Sequence, residues 1–349
     1  MGTLPPMVAR MNRQVVLAER PQGRVTADCF SMVEVPVPEL APGEALLQVH
    51  WVGIDPSIRG WISERGSYMA PVGIGEVVRA SGVGVIVETT DPDRYPVGTA
   101  YTALTGWQEY RVFAPDEFPP VTAVPPGVRL LDAMNTLGQL GLTAHLGVLE
   151  VAKPQPGETV VVSAAASGVG SLAGQIAKLQ GATVIGIAGS PEKCAWVCDD
   201  LGFDACIDYK RENVDARLKE LAPKGIDVYF DNVGGELLDT VLRRIATRGR
   251  VVLCGDLATY DTDEPAPPLH NVKYLMGRRA RMEGFNTLDH WSRLGEAHAD
   301  LVQWIADGRL IRREHAIAGL EHAPEALVRL FDGDHLGKLV VQVAPDATF

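Results

Sequence analysis

Gly168-Val169-Gly170-Ser171-Leu172-Ala173 is the stretch whose spacing most clearly points to chemistry. It matches G-x-G-x-x-[G/A], a turn that brings backbone N–H groups to a pyrophosphate at the start of a helix. In this reading Gly168 permits the tight turn and Gly170 lets the backbone approach the anion. Ala173 lets the helix pack closely on its sheet. The motif alone is weak, but here it follows an apolar β-branched run, Thr159–Ser163, and opens a helix over Ser171–Gln180. That context predicts a dinucleotide site. The competing reading is a glycine-rich turn in an α/β domain that binds nothing.

The next strand reports on which dinucleotide. A site for NAD usually carries an Asp or Glu about 20 residues on, for the ribose 2′-hydroxyl. Here the region reads Ile187-Ala188-Gly189-Ser190-Pro191-Glu192-Lys193, and no acid ends the strand. Ser190 and Lys193 offer a hydroxyl and a cation to a 2′-phosphate, which a carboxylate would repel. NADP(H) is therefore expected. Ser190-Pro191-Glu192 also reads as an ordinary helix cap with Pro at the first helical position.

Other chemistries lack their residues. Up to Leu130 the chain has one cysteine, Cys29, and one histidine, His50, too few for a zinc site. Cys194 and Cys198, four apart on a predicted helix, read as core residues, and no metal is expected. No G-x-S-x-G nucleophile motif occurs. The reaction must then come mainly from the nicotinamide, with the protein orienting and polarising its partner.

The elements that must position these residues fall in two groups. Of 24 prolines, 15 lie at or before Pro126, among short β-branched runs such as Ala45–Val49, Val83–Val87 and Tyr110–Phe113. This predicts a mostly antiparallel β domain. Leu130–Leu149 then reads as a helix. Strands at 159–163, 183–188, 205–208, 226–231 and 250–254 alternate with helices at 171–180, 191–201, 212–221 and 235–245. Such alternation predicts a doubly wound parallel sheet of the Rossmann type. The tail Gly337–Val343 reads as a strand that returns to the first domain. The expected division is 1–130 with 311–349, and 131–310.

Composition excludes several classes. The 349 residues carry 32 basic and 44 acidic side chains, a formal charge of −12, so neither nucleic acid nor an anionic membrane surface is an expected partner. Thr159–Ala177 runs 19 residues without a charge, but its three glycines and three serines read as strand, turn and helix. Five scattered cysteines and no evident signal peptide point to the cytoplasm.

The chain resembles the zinc-free medium-chain dehydrogenase/reductases, in the prostaglandin reductase and 2-alkenal reductase branch. The resemblance rests on Ile54-Asp55-Pro56 with Arg59-Gly60, on 105–110 (TGWQEY), and on Gly141-Leu142-Thr143-Ala144. It continues through 164–171 (AAASGVGS), 189–193 (GSPEK), 229–235 (YFDNVGG), 254–260 (CGDLATY), 281–285 (RMEGF) and 333–338 (GDHLGK). Where zinc-containing relatives carry a Gly-His-Glu ligand motif, this chain has Gly73-Ile74-Gly75-Glu76, without a histidine.

The resemblance implies a GroES-like β domain beside the Rossmann domain, and NADP(H) as cofactor. It implies that Gly168, Val169, Gly170 and Ser171 hold the pyrophosphate, and that Gly189, Ser190, Lys193 and Tyr209 hold the 2′-phosphate side. Asn232, Cys254, Gly255, Phe285, Asn286 and His335 would contact the rest of the cofactor, with Phe285 and Asn286 at the nicotinamide. Tyr209, Phe285 and Asn232 each keep a plainer reading, as packing or turn residues. Tyr260 would place its phenol at the substrate carbonyl, or stand as a surface tyrosine. Ser57 and Tyr68 would face the substrate, among the aromatic residues of 51–68. Ser57 and His145 stand where many relatives have tyrosine, and His335 where many have asparagine. The implied reaction is hydride transfer to the β-carbon of a hydrophobic enal or enone. A quinone reductase and a non-catalytic NADPH-binding protein are the rivals. A homodimer through the nucleotide-binding domains is also implied.

Overall fold

The structure is a computed structural model that describes residues 10–64, 69–117 and 119–345. Its strands are β1 (Met11–Leu17), β2 (Phe30–Pro36), β3 (Ala45–Gly53), β4 (Gly82–Thr89) and β5 (Ala100–Ala103). Then follow β6 (Tyr110–Phe113), β7 (Thr122–Ala123), β8 (Thr159–Ser163), β9 (Thr183–Ala188) and β10 (Ala205–Asp208). The last are β11 (Ile226–Asp231), β12 (Ile245–Leu253), β13 (Arg281–Gly284), β14 (Glu314–Ala318) and β15 (Lys338–Gln342). The helices are α1 (Ser57–Trp61), α2 (Leu130–Met134), α3 (Gln139–Leu146), α4 (Gly168–Leu179), α5 (Pro191–Asp199) and α6 (Val214–Leu221). After them come α7 (Gly235–Leu242), α8 (Leu257–Tyr260), α9 (Lys273–Arg278), α10 (Leu294–Ala306) and α11 (Ala323–Asp332).

Two compact units form. The first comprises Met1–Met134, Ala316–Leu330 and Val340–Phe349; the second comprises Asn135–His315 and Phe331–Leu339. Three segments thus differ from the expected division: 131–134 pack with the first unit, and 311–315 and 331–339 with the second. For the latter two the reason is hydrogen bonding: Gln175 Nε2 donates to the Ile311 carbonyl at 2.8 Å, and Gly337 N donates to the Ala166 carbonyl at 2.9 Å.

In the first unit β3 pairs antiparallel with β4, β6 and β15, β4 with β5, and β5 with β7. The returning tail strand registers Val340 against Gly53. Val83, Val85, Trp51 and Val340 bury one sheet face against Leu130, Leu131 and Met134. The helix expected over Leu130–Leu149 breaks at 135–138, where the Asn135 carbonyl accepts from both Gly138 N and Gly141 N, each at 3.2 Å. Its continuation past α3 widens into a π-helical segment, Gly147–Ala152.

The second unit carries a six-stranded sheet in the order β10-β9-β8-β11-β12-β13, every neighbouring pair parallel. Val161, Ile185, Tyr229 and Val251, all nearly or fully buried, lie at its centre. Strands buried on both faces read as continuous Val/Ile runs, which is why these elements were legible.

Candidate functional site

The strand order reverses direction between β8 and β11. In an open parallel sheet ligands bind outside the carboxyl ends of the strands at such a reversal. Residues 168–171, 189–193, 209, 232, 254–260 and 285–286 all follow the carboxyl end of a strand of this sheet. Residues 333–337 join them, since Gly337 N reaches the turn after β8 at the Ala166 carbonyl.

After β8 the chain bends at Ala164, whose φ of +48° lies in the left-handed region. Ser167 caps α4, its Oγ accepting from Gly170 N at 3.3 Å. This cap starts the helix at Gly168, three residues before the expected Ser171. Gly168 therefore does not supply the sharp bend: it is helical, and a Cβ there would lie 3.0 Å from Leu140 Cδ2. Gly170 is required by contact, because its Cβ would fall 2.3 Å from the Ala164 carbonyl oxygen. Val169 is half-buried, and buried Ser171 donates its Oγ proton to the Gly168 carbonyl at 3.1 Å. Ala173 is fully buried, as close packing demands.

At the ends of β9 and β10, Ile187 registers against Ile207 and Ala188 against Asp208. Tyr209 N donates to the Ala188 carbonyl at 3.0 Å, which lays the Tyr209 ring over Gly189. A Cβ on Gly189 would lie 2.9 Å from that ring. Ser190 does cap α5, accepting from Lys193 N at 3.2 Å, and Glu192 points into solvent. The Lys193 ammonium donates to the Gly333 carbonyl at 2.6 Å. Burial, then repulsion from Lys210, push its pKa below the ordinary lysine value. These hydroxyl and ammonium donors suit a phosphate dianion.

A buried polar hub joins β8 to β11. Asp231 Oδ1 accepts from Tyr229 Oη at 2.8 Å, from Ser163 Oγ at 3.1 Å, and from Val233 N and Gly234 N at 3.0 Å each. Asn232 Nδ2 donates to the Ser163 carbonyl at 2.7 Å, so the amide fixes the turn and leaves its oxygen for other partners. Burial raises the pKa of Asp231. Sequence reasoning missed this hub of Ser163 and Asp231.

Cys254 N donates to the Asp231 carbonyl at 2.8 Å, and burial pushes its thiol up to about 12. Gly255 passes tightly over Asn232, where a Cβ would lie 3.1 Å from the Asn232 carbonyl oxygen. Leu257 N and Ala258 N donate to the carbonyls of Asn232 and Val233 at 3.3 and 2.9 Å. These bonds anchor α8, and with it Tyr260, to the turn after β11. Tyr260 exposes 36% of its surface, and partial burial raises its phenol pKa.

Phe285 is half-buried and packs on Leu142, Leu146 and Ala297; Asn286 is half-buried beside it. His335 is half-buried in the 333–337 turn. Ser57, in the first unit, is the half-buried first residue of α1. Tyr68 lies outside the described residues.

Residues 13–121 match the family described as N-terminal domain of oxidoreductase, and residues 168–305 match the family described as Zinc-binding dehydrogenase. The NADPH-dependent curcumin reductase of Escherichia coli is 36% identical over 96% of this chain and 98% of its own. The NADP-dependent 2-alkenal reductase of Nicotiana tabacum is 35% identical over 95% and 98%. The crystal structure of CurA from Vibrio vulnificus in complex with NADPH superposes with a TM-score of 0.90, at 38% identity over 96% of this chain and all of that one. The chain belongs to the zinc-free medium-chain dehydrogenase/reductases.

Two positions gain meaning within this zinc-free family. Glu76, where zinc-containing members would carry their ligand motif, accepts from Gly73 N at 2.8 Å and closes a turn. Among the described residues no group of three or more His, Cys, Asp or Glu is placed to hold a metal ion. His145 is buried between α3 and α10, stacked on Trp304 with ring centroids 5.9 Å apart, and its Nε2 lies 2.8 Å from Asp300 Oδ2. It packs the core of the second unit.

Proposed function

We propose that the chain is an NADPH-dependent reductase of the C=C bond of α,β-unsaturated aldehydes and ketones. The observation that carries this is the gathering of the Gly168–Ser171 turn, the Lys193 and Tyr209 donors and the Tyr260 phenol at one edge of one sheet. The similarity to an NADPH-dependent curcumin reductase and an NADP-dependent 2-alkenal reductase supports this cofactor and substrate class. The adenosine end fits: no carboxylate ends β9, a tyrosine covers Gly189, and Lys193 presents an ammonium.

Gly168–Ser171 hold the pyrophosphate at the start of α4, and Ser190, Lys193 and Tyr209 hold the 2′-phosphate. Asn232, Cys254, Gly255, Phe285, Asn286 and His335 shape the remainder of the cofactor site. NADPH, when bound, supplies a hydride to the β-carbon. Negative charge then develops on the carbonyl oxygen, the Tyr260 hydroxyl donates to it, and a proton from water or through Tyr260 completes the saturated product at the α-carbon. The raised phenol pKa keeps that proton in place at neutral pH. A donor already oriented lowers the barrier because no reorganisation accompanies the charge shift.

The protein acts as a homodimer through its second unit. The outer side of β13 is an unpaired edge among the described residues, and nearby Met276 in α9 (82%) and Val272 just before it (43%) are exposed. Such an edge invites another chain. All five cysteines are free, which favours the cytoplasm. No described helix is long and apolar enough to cross a membrane.

The test is nicotinamide absorbance with NADPH or NADH and a panel of 2-alkenals, enones and quinones. Oxidation of NADPH with formation of the saturated carbonyl is expected. Turnover of quinones alone overturns the substrate class. Binding of NADPH without turnover of any acceptor overturns the enzymatic reading.

A further inference from the structure

Lys193 and Lys210 are two cations at one place in the fold. Lys193 lies in the first turn of α5 after β9; Lys210 lies two residues past β10, the neighbouring strand. The pairing of Ala188 with Asp208 brings the two turns side by side. Lys210 is the charged group that acts most strongly on Lys193, and it repels it. The carboxylates of Asp334 and Glu192 attract Lys193, each more weakly than Lys210 repels it. Asp208 is engaged elsewhere. Its Oδ1 accepts from Lys210 N at 3.1 Å and its Oδ2 lies 3.7 Å from Arg211. That turn fixes the backbone of Lys210 while leaving its side chain exposed.

Two ammonium groups carried by adjacent strand ends repel one another. Such an arrangement is relieved when a dianion binds between them. We propose that Lys210 is a specificity-determining residue of this reductase, the second cation for the 2′-phosphate of its cofactor beside Lys193. This rests on the NADPH reading above and extends it to a residue that reading does not use. Tyr209 and Lys210 then divide the work: the ring packs over Gly189 while the next residue's ammonium meets the phosphate.

The experiment is calorimetric binding of 2′,5′-ADP and of 5′-ADP to the whole protein. Wild type is compared with Lys210→Ala and Lys210→Arg at two salt concentrations. Lys210→Ala is expected to weaken 2′,5′-ADP about tenfold, the worth of one charge-assisted hydrogen bond. Its 5′-ADP affinity is expected to stay at the wild-type value. Lys210→Arg restores binding, and the alanine variant shows a shallower salt dependence. Equal weakening of both ligands, or of neither, overturns the role of Lys210. A wild-type protein that binds the two ligands alike overturns the NADPH reading itself, an outcome separate from the behaviour of the variants.

Discussion

Asn232 is bound to Ser163 twice: its backbone N–H donates to Ser163 Oγ at 2.8 Å, and its side-chain amide donates to the Ser163 carbonyl at 2.7 Å. These bonds tie the carboxyl ends of β8 and β11 together at the point where strand order reverses. The serine hydroxyl passes its own proton to Asp231 Oδ1. Ser163→Ala leaves the Asn232 N–H without its acceptor in a buried setting. Loss of one buried partner costs about 1–3 kcal/mol. Urea unfolding should show that loss, with a raised KM for NADPH because both cofactor-facing turns rest on this bond.

Gly168 and Gly170 should behave differently although one motif contains both. A methyl at Gly170 meets the Ala164 carbonyl oxygen, which is backbone and held by the turn. A methyl at Gly168 meets the terminal methyls of Leu140, which a small rotation relieves. Gly170→Ala is expected to lower stability by about 1–3 kcal/mol, the ordinary cost of overpacking, and to weaken NADPH. Gly168→Ala should cost less than 1 kcal/mol on the same scale, roughly. Thermal melts of the two variants with and without NADPH decide this, and an inverted order would show that the turn is read wrongly.

Tyr260→Phe removes the donor to the developing enolate while leaving the ring. Loss of one such donor typically costs about 3 kcal/mol of barrier, on the order of a hundredfold in kcat. NADPH affinity should change little. Burial holds the phenol above its ordinary pKa, so the protonated donor persists through neutral and mildly alkaline pH. A rate loss from its ionisation should appear only above about pH 10. Undiminished turnover in the variant removes Tyr260 from the mechanism.

The pair Asp215–Arg244 gives a pH-dependent stability with a definite sign. Arg244 grips Asp215 with two bonds of 2.8 and 2.7 Å, and this contact holds the carboxyl pKa below its ordinary value. A carboxylate with a depressed folded pKa adds stability above its unfolded pKa, and loses it as pH falls through the folded one. Asp215→Asn should therefore cost about 1 kcal/mol at pH 7. The difference between variant and wild type in urea melts should shrink below about pH 4 and vanish at lower pH. A gap that persists in acid would assign the effect to packing.

What the chain discloses in advance follows from how local each feature is. The parallel strands β8, β9, β10 and β11 were legible because each is a β-branched or apolar run between turn residues. β13 (Arg281–Gly284) was not, because three of its four residues are exposed and it carries no apolar pattern. The G-x-G turn was found by spacing, yet the reason for Gly168 was not. Gly168 yields to Leu140 and the left-handed bend falls on Ala164, contacts that only the folded chain creates. Ser163 and Asp231 read as polar interruptions in two strands 68 residues apart. Their meeting depends on the register of β8 with β11, which no local pattern encodes. Tyr209 was singled out by resemblance; nothing local marks Lys210 beside it, and only the register of β9 with β10 brings its turn beside that of Lys193.

Lys193 makes the cofactor preference testable against the fold. Its ammonium binds the Gly333 carbonyl at 2.6 Å, so it supports the 333–337 turn besides the 2′-phosphate role proposed for it. Lys193→Ala should weaken NADPH by about tenfold to a hundredfold, as expected for a charge-assisted bond to phosphate. NADH should be held as before by the pyrophosphate turn. The structural role predicts a further, smaller effect: faster hydrogen exchange at Gly337 N, whose bond to Ala166 depends on that turn. Kinetics with both cofactors separates the two roles. A selective rise in KM for NADPH assigns the ammonium to the 2′-phosphate, and an equal rise for both cofactors leaves it only the turn to hold.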